Sequence, residues 1–155
     1  MLAMVGPLVA AILALLLAGC ATVQDDPVPA PCLDEPETIV RALERAPGAV
    51  KLADGTRLST CVSRARTDGD LQALGVSLTT VADALRARVA FDPGAAAGLG
   101  YLAGAVRAGA AANGLAAELA RRIERATALP RDAPQAARAA RAARAHGLRA
   151  GAAGG

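Results

Sequence analysis

Six apolar residues, Leu71, Leu74, Leu78, Val81, Leu85 and Val89, recur at spacings of 3, 4, 3, 4 and 4. At about 100° per residue they fall within an arc of roughly 80°, which commits this stretch to an amphipathic helix of about five turns. Asp68 and Asp70 suit its first turn, and Asp92-Pro93-Gly94 ends it. Such a stripe must be covered by other parts of the chain. With one Phe, one Tyr and no Trp, the cover has to be built from Leu, Val and Ala.

The sequence supplies that cover in further helical stretches. From about 95 to 112, Leu99, Leu102, Ala103 and Val106 form one arc, while Gly100, Gly104, Ala108 and Ala111 form another that is nearly bare. Glycine costs an exposed helix about 1 kcal/mol relative to Ala, so two at i and i+4 point to close packing against a neighbour. This stretch is read as the central helix. The alternative is a membrane span, since small residues at this spacing also mark helix contacts in lipid. Asn113-Gly114 breaks the helix, and Leu115, Leu119, Ile123 and Ala126 form another stripe, with Glu118 and Arg122 as an outer i, i+4 pair.

Upstream, Asp34 and Glu37 give a capping pattern for a helix over about 35–46, ended by Pro47-Gly48. Val50-Lys51-Leu52 and Thr56-Arg57-Leu58 alternate around Ala53-Asp54-Gly55, which predicts a short β-hairpin flap. Ser59 is placed as the cap of a helix carrying Cys61. The expectation for 32–129 is a mainly α domain, a small bundle of about four helices with that flap.

The first nineteen residues do not fit this domain. The run from Leu2 to Ala18 has the length of a signal h-region and is short for a spanning helix. Its end, Leu17-Ala18-Gly19-Cys20, resembles the lipobox of bacterial lipoproteins: an aliphatic residue, two small residues and a cysteine. The resemblance implies that residues 1–19 are a cleaved signal and that the Cys20 thiol receives a diacylglyceryl group and becomes the first residue of the mature chain. It also implies attachment to the outer face of the cytoplasmic membrane or to the outer membrane, with Ala21 after the cysteine matching the latter. Acyl chains anchor stably when there are two or more. The leader departs from the usual pattern in having no Lys or Arg before Arg41. An ordinary secretory signal and an uncleaved anchor are the alternatives.

Acylation of Cys20 leaves Cys32 and Cys61 as an even pair in an oxidising compartment, so a disulfide between them is expected. The rival, a metal or redox site, lacks CxxC spacing and any histidine nearby. Residues 20–31 hold Pro27, Pro29 and Pro31 and read as an extended tether.

The charge sits at the other end. Residues 33–129 carry 12 basic and 11 acidic side chains, whereas 130–155 carry five arginines and one aspartate. Three Ala-Ala-Arg units place Arg138, Arg141 and Arg144 in an Ala/Arg/Gly-rich tail, read as a loose or isolated helix with almost nothing to bury. These arginines are candidates for binding anionic wall polymer or lipid headgroups.

Candidate chemistry is sparse. The one histidine, His146, lies in the tail, and Ser59, Ser63 and Ser77 have no histidine in the body to activate them. No phosphate loop, nucleotide fingerprint, cofactor motif or metal-ligand set is recognisable, and nucleic acid as a partner conflicts with export. Tyr101 is assigned to packing. The reading is a lipid-anchored, non-enzymatic helical envelope protein acting through contacts with another envelope protein or as a structural accessory, with polymer or headgroup binding through the tail as the alternative.

Overall fold

A Thr67-x-x-Asp70 box starts the long helix. The Thr67 hydroxyl accepts from the Asp70 amide at 3.1 Å, and the Asp70 carboxylate accepts from the Thr67 amide at 3.1 Å. The computed structural model describes residues 26–129 and 135–155, and within them the chain is mainly helical, with six helices, five of them in the segment 32–129 where the sequence predicts about four. They are α1 (Pro36–Leu43), α2 (Leu58–Ser63), α3 (Asp68–Arg88), α4 (Pro93–Ala111), α5 (Ala117–Ala126) and α6 (Gln135–Gly154), with 3₁₀ turns at Ala30–Leu33 and Gly114–Ala116.

The α3 stripe is buried as its periodicity predicts. Leu74, Leu78, Val81 and Leu85 are inaccessible, with Leu71 and Val89 at the margins. Leu78 and Leu85 join Ile39, Leu43, Leu58, Leu99, Leu102 and Ile123 in one core without a large aromatic cluster. α4 is the central helix, buried from Ala95 to Val106 on every side. Asp92 caps it by accepting from the Gly94 amide at 2.9 Å.

Several local expectations change. α1 starts on Pro36 with Glu35 before it and no side-chain cap. Proline's fixed φ and missing N–H suit the first helical position, which leaves Asp34 one residue too early to cap. Between 50 and 57 there is no strand. A turn forms instead, closed by the Leu52 amide on the Thr56 carbonyl and the Gly55 amide on the Leu52 carbonyl, each at 2.9 Å. Gly55 takes φ +85°, and Asp54 takes the Thr56 amide at 2.8 Å. Leu58 already belongs to α2, so the second arm has no room to build a ladder. α2 is preceded by Arg57, and Ser59 lies inside it rather than capping it. Leu115 falls in a 3₁₀ turn and stays 66% exposed instead of joining the α5 stripe. Glu118 pairs with Arg121 at 2.8 Å and Arg125 at 3.3 Å, not with Arg122.

The largest departure is the tail. Residues 135–154 form a 20-residue helix laid along α4, not an isolated one. Gly147 meets Ala97, Gly151 meets Tyr101 and Gly155 meets Ala105, an unchanging offset of 50 residues. A constant positive offset means that α4 and α6 run parallel in fixed register, and α5 lies on the return between them. Gly100 and Gly104 face the backbone of Arg144, Leu148 and Ala152. A Cβ on Gly100 would come within 2.8 Å of the Leu148 nitrogen, and one on Gly104 within 2.7 Å of the Ala152 nitrogen. The small-residue face of α4 therefore has its close partner within the chain itself, and no helix among the described residues is long and apolar enough to cross a membrane.

Candidate functional site

The lipobox residues Leu17, Ala18, Gly19 and Cys20 lie outside the described residues. The Asp26 carboxylate is 3.2 Å from the Arg64 guanidinium at the C-cap of α2. Packing starts before Cys32, because Val28 lies against the core and the Cys32 amide closes a turn on the Pro29 carbonyl at 2.9 Å. Cys32 and Cys61 are bonded, with their Cα atoms 5.5 Å apart. Both are buried, so the bridge pins the start of the domain to α2.

α2 also receives the end of α6. The Ser59 hydroxyl donates to the Gly155 carbonyl, and Gly109 of α4 lets the Ser59 backbone approach it closely. At the far end of α2, Asn113 is buried and its amide donates to the Val62 carbonyl at 3.1 Å and the Ala65 carbonyl at 2.6 Å. Its own oxygen takes the Leu115 amide at 3.2 Å. The sequence showed Asn113 as a helix breaker only. Its role in tying α2 to the α4–α5 corner depends on contacts about 50 positions away.

The three candidate arginines do not share a face. A three-residue step on a helix turns about 60° backwards from a full circle, so the repeat walks its arginines around α6. Arg138 is exposed, Arg141 is half-buried at the flank, and Arg144 sits on the side packed against α4. The Arg144 backbone touches Gly100, and its guanidinium reaches back to donate to the Thr127 carbonyl at 2.7 Å and the Thr127 hydroxyl at 3.2 Å. Burial lowers its pKa, with Glu124 acting in the opposite direction. Nη1 of Arg141 is buried without a hydrogen-bond partner among the described residues. The exposed face of α6 instead carries Arg138, His146 and Arg149, separated by alanines.

Elsewhere the surface offers shallow grooves. One depression of about 490 Å³ is lined by Leu33, Glu35, Gln72 and Val76, with Ser77 at its floor. A second of about 440 Å³ lies between Leu71, Val76, Leu115 and Arg122. Val76, 62% exposed, and Gln72 line both grooves, with Leu33 at 51% exposure in the first and Leu115 at 66% in the second. Ser63 donates to the Thr60 carbonyl within its own helix. Tyr101, 1% exposed, belongs to the core, and its main chain lies against Gly147 and Gly151 of α6. No group of three metal-binding side chains occurs among the described residues. Comparison of the chain with protein-family models, curated proteins and solved structures returns no match.

Proposed function

We propose that this chain is a bacterial envelope protein, anchored by acylation of Cys20 and acting without catalysis as a protein-binding or structural accessory module. The observation that carries the reading is the Cys32–Cys61 bridge. A disulfide between two buried cysteines suits an oxidising compartment, and it leaves Cys20 as the unpaired cysteine, at the position where the Leu17-Ala18-Gly19-Cys20 pattern calls for lipid. The exposed Leu33, Val76 and Leu115, which line two grooves that share Val76, support action through protein contact, since exposed apolar surface marks interaction sites.

Intact-mass analysis of the membrane fraction tests the anchor: a chain starting at Cys20 with a diacylglyceryl mass is expected, and an unmodified Cys20 removes the proposal. A photo-crosslinking side chain at Val76 in native membranes tests the contact surface. One envelope protein should be captured from Val76 and not from the exposed Ala84 of α3.

A further inference from the structure

Charge in this protein is segregated, not merely in excess. Residues 26–129 hold 12 basic and 12 acidic side chains and balance, whereas residues 135–155 hold four arginines and no acid. The body also neutralises itself locally through Arg88 with Glu44 and Asp92, Arg86 with Asp83, and Glu118 with Arg121 and Arg125. No ion pair involves α6 among the described residues.

The end of the same helix shares a partner with Asp26. Asp26 is bound to Arg64 at one end of α2, and Gly155 is bound to Ser59 in the first turn of α2. α2 has six residues and is about 9 Å long. Asp26 and the end of α6 thus meet the same short helix. From Cys20 to Asp26 the backbone can span at most about 20 Å whatever its conformation. A lipid on Cys20 would hold the α2 end of the domain within that distance of the headgroups.

We infer that the exposed face of α6, bearing Arg138 and Arg149 on an alanine surface, lies against anionic lipid headgroups as a second membrane contact that fixes the orientation of the domain. The inference rests on the acyl-anchor reading of Cys20. Alanines at 139, 142, 152 and 153 let the arginine guanidiniums meet phosphate with no bulky side chain between, and Arg forms bidentate bonds to phosphate. Arg144 takes no part, because Thr127 holds it. α6 faces the lipid as a lying helix, with its apolar contacts given to α4 and not to the acyl layer.

The test uses the full acylated chain carrying Ala142→Cys. With Cys20 acylated and Cys32 bonded to Cys61, the new thiol is the single site for a fluorophore on the exposed face. The protein is placed in phosphatidylcholine vesicles with headgroup-bound nitroxide quencher, with and without phosphatidylglycerol. Strong quenching is expected only with phosphatidylglycerol, reversed by raised salt. Arg138→Gln and Arg149→Gln should each weaken the α6 contact about fivefold, while the same label at Ala84→Cys stays unquenched throughout. The inference is overturned if the acylated protein stays on the vesicles but the label at 142 matches that at 84, or if quenching ignores phosphatidylglycerol and both substitutions. Shielding of the label by an anionic glycan polymer and not by vesicles would also overturn it. A chain recovered without acyl mass removes the anchor reading, and the inference with it, which separates the two failures. Both arginines are exposed, and an unchanged circular dichroism spectrum confirms that the variants fold.

Discussion

Arg144 donates two hydrogen bonds to Thr127, to its carbonyl at 2.7 Å and its hydroxyl at 3.2 Å. Thr127 is wholly buried where α5 ends, so one arginine from the helix packed on α4 closes the C-terminus of another. A buried carbonyl that loses its donor costs about 1–3 kcal/mol. Arg144→Ala should therefore destabilise the domain by that amount, and Arg138→Ala, one face away in solvent, by less than about 0.5 kcal/mol. Thermal denaturation of the two variants side by side checks this, and equal melting temperatures would refute it.

The parallel contact of α4 with α6 predicts a sharp dependence on single methyl groups. Gly104→Ala or Gly151→Ala drives a Cβ into opposing main chain, at Leu148 and Ala152 or at Tyr101. Main chain cannot rotate away as a side chain can, so the cost should reach or exceed the 1–3 kcal/mol usual for overpacking, and α6 should detach. Trypsin then gains access to Arg141 and Arg144. Gly154, in the same helix, has open space where a Cβ would go, so Gly154→Ala should leave the digestion pattern unchanged.

The two contacts show what a sequence of this kind discloses. Leu71 to Val89 announced α3 because hydrophobic burial leaves a period that survives in the residue order. The bare face of α4 announced close packing because glycine at i and i+4 otherwise weakens a helix. Its partner was hidden because α6 docks through glycine and alanine backbone contact, where almost no apolar side chain marks the buried side. Arg144 looked like one of three equivalent cations, and only the 60° drift of a three-residue repeat distinguishes it from Arg138. Asn113 and Ser59 were equally opaque, since their partners at Val62, Ala65 and Gly155 are distant in sequence. The turn at Asp54-Gly55 was legible, but the length of its arms was not, because α2 claims Leu58.

Asn113 offers a cleaner measure of one buried polar link. Its amide is the donor for both the Val62 and Ala65 carbonyls. Asn113→Ala removes the amide without overpacking the site and leaves both acceptors unpaired, which should cost about 2–4 kcal/mol. Urea denaturation should show a lower midpoint with an unchanged slope. An unchanged midpoint would mean that water replaces the amide.

Cys32 and Cys61 are separated by 29 residues. Loop-closure entropy for that spacing corresponds to roughly 3.5 kcal/mol of stabilisation. The Cys32→Ser/Cys61→Ser double variant, or reduction of the native protein, should lower unfolding free energy by about 2–4 kcal/mol. Since the bridge is what holds Ala30–Leu33 onto α2, exchange of backbone amides should accelerate first in that segment. Uniform acceleration across all helices would count against a local role for the bridge.

Acid stability should report the start of α3. The Asp70 carboxyl is held below its ordinary pKa, chiefly by hydrogen bonding with Thr67 and then with the Arg66 amide. A carboxylate whose native pKa is depressed stabilises the fold above its unfolded value, and that stabilisation is lost as pH falls through the native value. Asp70→Asn should therefore lower stability at neutral pH, where the ionised cap is complete. The gap between the two proteins should shrink below about pH 4, the ordinary range for an unfolded aspartate. Paired denaturation curves from neutral pH to pH 2 check the sign. A gap that widens on acidification would show that the charged form of Asp70 is not the stabilising one.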